Sequence, residues 1–347
     1  MAKDKIEKWL SPPMNEYSVM YSYVRSRQLE GTYNDDPTVG CWPITGLRVA
    51  RGWGTPLEEQ WPYVGDASLW PPKEEPANID LYAKEYRLFA YQRVRSEIEC
   101  KIAIASESPV MLAVNINDYW YNAIKGDIPL PHKEVEIVGA HCFELLGYDD
   151  AKAKFKFKNS WGVEWGDKGY GYLPYQYIDR FMVEAWILIV HSDMSYGKKG
   201  GGTVELNWGI PSKLHGALHG IEIRDSESND YKAWGFASLY DGYLNVEEFF
   251  VHPDFRGKGY SKYLLNHLRK LSVQFSAPLR FWVSHADNTN NNMELLKYLA
   301  NKNGLVVSDS NVRWAAFKIE QGGIPIKYKP AVKVPGVAHP STYRLPV

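Results

Sequence analysis

Between Gly139 and Tyr177 the chain reads GAHCFELLGYDDAKAKFKFKNSWGVEWGDKGYGYLPYQY, a histidine on a strand-like run followed by an Asn-Ser-Trp-Gly turn. Few stretches constrain a fold so tightly. A cysteine nucleophile needs an imidazole to take its proton, and the imidazole needs a fixed side-chain carbonyl on its other nitrogen to set its tautomer and orientation. A strand-borne His141 and a loop-borne Asn159 supply that pair. Cys142 follows His141 on the same strand, and side-chain alternation sends it to the opposite face.

The chain has 347 residues, enough for two domains with separate cores. A hydrophobic fraction of 45% with 23% charged residues describes an ordinary globular protein, and 14% aromatic is on the rich side. Forty Lys+Arg against 41 Asp+Glu leave a net charge of −1, so no global field favours nucleic acid or an anionic membrane. The balance is uneven: from Gly201 onward there are 17 Lys+Arg and 13 Asp+Glu. MAKDKIEKWLSPP carries charges where a leader needs an apolar run, and no segment approaches the roughly 18 apolar residues of a membrane span. Three cysteines, Cys41, Cys100 and Cys142, are a sparse and odd set, which points to the cytoplasm. Cys100 and Cys142 are expected to be buried apolar residues.

Glycines from Gly197 to Gly202 interrupt regular structure and divide the chain into a first domain over 1–195, a linker over 196–203 and a second domain over 204–321. From Gly322 to Val347 a proline-spaced tail follows. In the first domain Tyr86 to Ser106 reads as a mostly helical stretch, Pro109 to Ile116 as a buried strand and Trp186 to Ser192 as another strand. In the second, ALHGIEIRD, KAWGFASLYD, YLNVEEFFV, LRFWVSH and VRWAAFKI read as strands. SKYLLNHLRKLSVQF and MELLKYLANKNG read as helices, the latter closed by Gly304. The fold class is α+β.

Over roughly its first 190 residues the chain resembles the papain family of cysteine proteases. The matches run in family order: LSPP at Leu10, then Gly54 through Trp61-Pro62-Tyr63, then SPVMLAVNINDYWYNAIKGDI, GAHCFELLGYD and KNSWGVEWGDKGYGYLPY. The resemblance implies that His141 stands at the catalytic histidine and Asn159 at the orienting asparagine, with Trp161 and Trp165 shielding their hydrogen bond. In the family a glutamine and a Cys-Gly-Ser-Cys-Trp segment precede the Leu-Ser-Pro landmark by about two dozen residues, whereas nine residues precede Leu10. The domain is therefore expected to be degenerate, its His141 and Asn159 kept as a packing network. Cys41, in VGCWPIT, falls at the family's glycine-rich cleft segment and lines the groove.

In the second domain FFVHPDFRGKGYSKYLL places a strand, a sharp turn and a helix start in succession. Gly257 and Gly259 let successive N–H groups converge, and the helix N-terminus adds its positive end, a cradle suited to pyrophosphate. This run resembles motif A of the GNAT superfamily of N-acetyltransferases, so the second domain is expected to be a GNAT-like mixed α/β domain. The resemblance spans Ile221 to Glu320 and implies coenzyme A binding by backbone groups of Phe249 and Val251 and by the turn of Arg256, Gly257, Lys258, Gly259, Tyr260 and Ser261. Glu247 and Glu248 are candidates for a base that deprotonates an amine, or else solvated strand-edge carboxylates. His285 is a further base candidate or a merely hydrogen-bonded histidine. Counting back from Gly304, the family's general-acid tyrosine falls on Ala300, with Tyr298 nearby on another helix face. The two helices that usually wall the acceptor site are reduced or absent before Ala233.

The expected function is an N-acyltransferase with an acyl-CoA donor and a small-molecule or peptide amine acceptor. The papain-like domain would shape the acceptor site, in a cleft shared with the transferase. The alternatives are an aminoacyl-tRNA donor, a thiol protease or acyl hydrolase using Cys41 or a separately encoded nucleophile, and a binding protein with a vestigial turn. No metal site is expected.

Overall fold

The computed structural model describes residues 15–36, 38–132, 134–190, 203–211, 214, 217–282, 292–302, 305–310 and 314–319. The readings that fall on Leu10, His285, Gly304, most of the 196–203 linker and the 322–347 tail lie outside those residues. Two compact units part between residues 194 and 195.

The first unit opens with helices α1 (Val19–Glu30), α2 (Pro43–Gly52) and α3 (Ile79–Ala83). Ser18 caps α1 by accepting from the Tyr21 N–H at 3.0 Å, and Gly31 ends it in the left-handed conformation that glycine adopts without strain. Met20, Tyr21, Val24, Val49, Trp61, Ile79 and Ala83 bury together where the three helices meet. Next come β1 (Ala90–Val94), α4 (Glu97–Ala105), β2 (Val110–Ile116), β3 (Gly139–Asp149), β4 (Lys154–Lys158), β5 (Tyr170–Pro174), α5 (Gln176–Phe181) and β6 (Met182–Ile189). The six strands form one antiparallel sheet in the order β1-β6-β2-β3-β4-β5.

Tyr86 to Ser106 is not mostly helical. Ala90–Val94 is extended because it pairs with β6, Ala90 opposite Ile189, and buries four of its five residues. Ser96 then caps α4 through the Glu99 N–H at 3.3 Å, so the helix starts only at Glu97. Distant pairing overrides a local helical pattern there.

The second unit contains β7 (Thr203–Pro211), β8 (Ala217–Asp225), β9 (Tyr231–Tyr240), β10 (Tyr243–Val251), α6 (Tyr260–Gln274), β11 (Leu279–Trp282), α7 (Asn292–Lys302), β12 (Leu305–Ser310) and β13 (Trp314–Ile319). The sheet order is β12-β13-β11-β10-β9-β8-β7, and only β10 and β11 run parallel. Strands β7 and β12 escaped the sequence reading. The stretch before Ala233 holds strands β7 and β8 and, among the described residues, no helix. Leu264, Leu265, Leu268 and Leu271 make one apolar stripe on α6, all buried against Leu244, Val246, Ile221, Ala233 and their neighbours. One sheet face is thus sealed by helix, which leaves α6 anchored with its N-terminus beside the end of β10.

Candidate functional sites

His141 sits on β3 opposite Val114 of β2, and Asn159 follows the end of β4, its N–H bonded to the Gly169 carbonyl at 2.9 Å. The His141 Nε2 and Asn159 Oδ1 are 2.7 Å apart, and both residues are buried. The Ser160 N–H also donates to Asn159 Oδ1, at 2.8 Å, so that atom is an acceptor. Nε2 therefore carries the proton, and Nδ1 of the neutral ring is the lone-pair nitrogen. Burial lowers the His141 pKa below its ordinary value, and the Asn159 bond only partly opposes this.

Trp161 packs on the imidazole with centroids 4.7 Å apart. Trp165 contacts Trp161 at 5.5 Å rather than the histidine, and its Nε1 donates to the Trp120 carbonyl at 3.1 Å. Phe143 also stands against His141, at 5.7 Å, as does Trp120 at 6.1 Å, a residue the sequence reading did not single out. Its signal was its place within the DYW of the matched strand-and-loop segment. The loop that carries these rings needs Gly166, whose φ is +62° and where a Cβ would stand 2.4 Å from the Tyr170 carbonyl.

No thiol joins this pair. Among the described residues the imidazole hydrogen-bonds Asn159 alone. Cys142 pairs across β2 with Ala113, which in turn faces Glu184 on β6, so alternation turns it away from His141. By surface area among the described residues it is exposed, yet loss of water, helped by Glu184, pushes its thiol up to about 12, which fits the expected burial. Cys100 is fully buried on α4, and burial pushes its thiol well up. Cys41 is half-buried, its thiol pushed up to about 12 by loss of water and by the Glu30 carboxylate. Glu30 accepts from the Trp42 N–H at 2.8 Å and is itself raised to about 7 by burial. No sequence motif marks that carboxylate.

In the second unit, β10 and β11 pair only at Leu244, Asn245 and Val246. Trp282 still pairs with Trp314 of β13, but no longer with β10. At the same point the register of β10 with β9 slips between Val246 and Glu248, leaving Glu247 as the extra residue of a bulge. Both carboxylates beside this parting are buried, Glu247 at 5% exposure and Glu248 at 4%, so neither is a solvated strand-edge group. Ser238 Oγ donates to Glu247 Oε1 at 2.6 Å, and the Phe249 N–H donates to Glu248 Oε1 at 2.8 Å.

Beyond Val251, Pro253–Phe255 makes a single tight turn and the chain enters Arg256 to Ser261. Gly257 and Gly259 take φ of +76° and +85°, with open space where a Cβ would be. Gly259 caps α6 without any side-chain bond, and the turn through Gly259 is exposed, with Tyr260 and Ser261 half-buried at the helix start. The Tyr260 and Ser261 N–H groups thus open a 15-residue helix directly after an exposed turn, while the Lys262 N–H bonds to the Gly259 carbonyl at 3.0 Å. Arg256 Nε donates to the Val251 carbonyl at 3.3 Å, and Lys258 Nζ to the Asp254 carbonyl at 3.1 Å. Ala300 is buried in the helix–sheet core, and Tyr298 lies half-buried two residues before it, on another face of α7. Among the described residues no cluster of His, Cys, Asp and Glu could hold a metal, and no helix is long and apolar enough to cross a membrane.

Residues 31–184 match the family model of papain family cysteine proteases, and residues 213–297 match that of the GNAT acetyltransferase family. An uncharacterized peptidase C1-like protein of Acanthamoeba polyphaga mimivirus is 25% identical over 182 residues, covering 49% of this chain and 58% of that protein. The gamete and mating-type specific protein A of Dictyostelium discoideum is 34% identical over 85 residues, 24% of this chain and 18% of its own. The chain therefore spans less than two thirds of these relatives. Among solved structures, xylellain, a cysteine protease from Xylella fastidiosa, is similar at 27% identity and a TM-score of 0.49, covering 55% of this chain and 75% of its own. Digestive procathepsin L 3 of Tenebrio molitor follows at 17% and 0.41, covering 55% of this chain and 60% of its own. The chain joins a domain of the papain family of cysteine proteases to a domain of the GNAT acetyltransferase family.

Proposed function

We propose that the protein is an N-acyltransferase that moves an acyl group from an acyl-CoA thioester to an amine, with the papain-like domain recruiting the acceptor. The observation that carries this reading is the parting of β10 from β11 beside two buried carboxylates, directly ahead of a turn with two left-handed glycines. The N–H groups from Gly257 to Ser261 suit a pyrophosphate, which needs converging donors and the positive end of a helix. The amide edge of Phe249 and Val251 suits an extended, amide-bearing arm, which would add to β10 as a further strand does. Glu247, oriented by Ser238, takes the proton of the attacking amine directly or through water. The amine nitrogen bonds to the thioester carbonyl carbon, the carbon–sulfur bond breaks, and the thiolate departs. Its proton comes from a group other than Ala300, whose methyl has none to give.

The papain-like domain serves this reading as a binding surface, because a thiol raised to about 12 at Cys41 is a poor nucleophile and no thiol bonds the imidazole among the described residues. The three free cysteines favour a reducing compartment such as the cytoplasm. Calorimetric titration with CoA, followed by a thiol-release assay with acetyl-CoA and a panel of amines and peptides, tests the proposal. Micromolar binding and amine-dependent thiol release are expected, and absence of CoA binding overturns it in favour of another donor such as an aminoacyl-tRNA. One observation favours a thiol hydrolase instead: the His141–Asn159 bond is formed and its ring proton fixed on Nε2. That reading fails if Cys41 stays unlabelled by an epoxide probe.

A further inference from the structure

The His252 N–H donates to the Lys232 carbonyl at 3.0 Å, and Glu248 and Phe250 stand opposite Phe236 and Trp234. Antiparallel alternation then gives the even-numbered residues of this half of β10 to β9. Phe249 and Val251 turn their N–H and C=O groups to the other edge, where no described strand pairs beyond Val246. Buried backbone groups are rarely left without partners, and here two side chains provide them. Glu248 Oε1 accepts the Phe249 N–H at 2.8 Å, and Arg256 Nε donates to the Val251 carbonyl at 3.3 Å. One acceptor on the N–H and one donor on the C=O are what an extended amide chain would offer the same edge.

We propose that Glu248 is a ligand-displaced plug, a carboxylate that holds the Phe249 N–H until the amide arm of the acyl-CoA donor takes it. The inference rests on the acyl-CoA reading above. Donor binding breaks a charge-assisted bond, so the plug weakens donor affinity in the resting chain. Glu248 acts here as a positioning residue, with proton removal left to Glu247.

Calorimetry with CoA on the full chain separates the cases. Glu248→Ala is expected to bind CoA about tenfold more tightly than the wild type, the value of one charge-assisted bond that the ligand no longer has to break. Glu248→Gln, whose neutral oxygen still accepts, should fall between the two. A residue that merely supports the strand would weaken binding when truncated. The native chain supplies a second readout: with [15N]phenylalanine, the Phe249 amide signal should move on Glu248→Gln in the free protein, and the two proteins should coincide once CoA is saturating. If the wild type binds CoA and Glu248→Ala binds it equally or less well, or if the Phe249 signal ignores the substitution, the plug is wrong and the transferase reading stands. If the wild type binds no CoA, both fall.

Discussion

Each half of the chain buries a titratable side chain against a neutral partner, His141 on Asn159 at 2.7 Å and Glu247 on Ser238 at 2.6 Å. The surroundings differ. His141 is boxed by Trp120, Phe143 and Trp161, and the strand that carries it is paired on both sides. Glu247 sits in a bulge where β10 has just lost β11, next to backbone that, among the described residues, is held by the Glu248 and Arg256 side chains. A buried acid or base held by a neutral partner therefore does not by itself tell the two places apart. What distinguishes the two places is polar backbone that a ligand could satisfy better than the protein does.

The largest effect expected from that contrast is at Glu247. Glu247→Gln keeps an acceptor for Ser238 but removes the base, and should lower kcat for acyl transfer by about 10²–10⁴-fold while CoA binding by calorimetry is unchanged. A loss below about tenfold would move the base elsewhere and dissolve the contrast. Next in size is Gly259→Val. A β-branched residue at φ +85° carries roughly 1–2 kcal/mol of strain and swings the helix-start N–H groups away. The KM for acetyl-CoA should rise by about tenfold or more with kcat nearly constant. In the other half, Asn159→Ala should cost about 1–2 kcal/mol of stability by orphaning the buried His141 Nε2–H. Its melting temperature should fall by a few degrees, while kcat/KM for a small amine stays at the wild-type value. A parallel collapse of transfer activity would mean that the papain-like pair takes part in the reaction after all.

Motifs fixed by short-range chemistry were legible in the sequence: the strand–turn–helix at Phe249 to Leu265, and the His141 and Asn159 landmarks. Features set by distant partners were not. Ala90–Val94 became a strand because Ile189 lies across from it, a pairing no local pattern reports. The Glu247 bulge depends on how β9 and β11 meet β10, so its burial, and that of Glu248, could not be told from a solvated edge. Alternation turns Cys142 away from His141, but how far its thiol is cut off from water depends on distant neighbours such as Glu184 and Cys41. Glu30 carries no motif at all, and its raised pKa comes first from burial and also from Glu184, against the lowering pull of Thr45, Trp42 and Arg27.

Glu30 and His141 make the smallest and most exacting test, because their pH effects have opposite sign within one unit. Glu30 has a folded pKa of about 7 against an ordinary 4.5, so the native state binds the extra proton, and its contribution is present in acid and lost as pH rises through about 7. His141 lies below its ordinary 6.5, so the unfolded state binds the extra proton, and stability drops as pH falls from 6.5. Over the shared window the two slopes partly cancel. Glu30→Gln should therefore expose a first unit that weakens on acidification, read as the urea midpoint at about pH 8 against about pH 5. His141→Gln should expose one that strengthens instead. If both variants keep the wild-type profile, neither side chain is held in the protonation state that its burial demands, and the boxed half is wetter than its packing says.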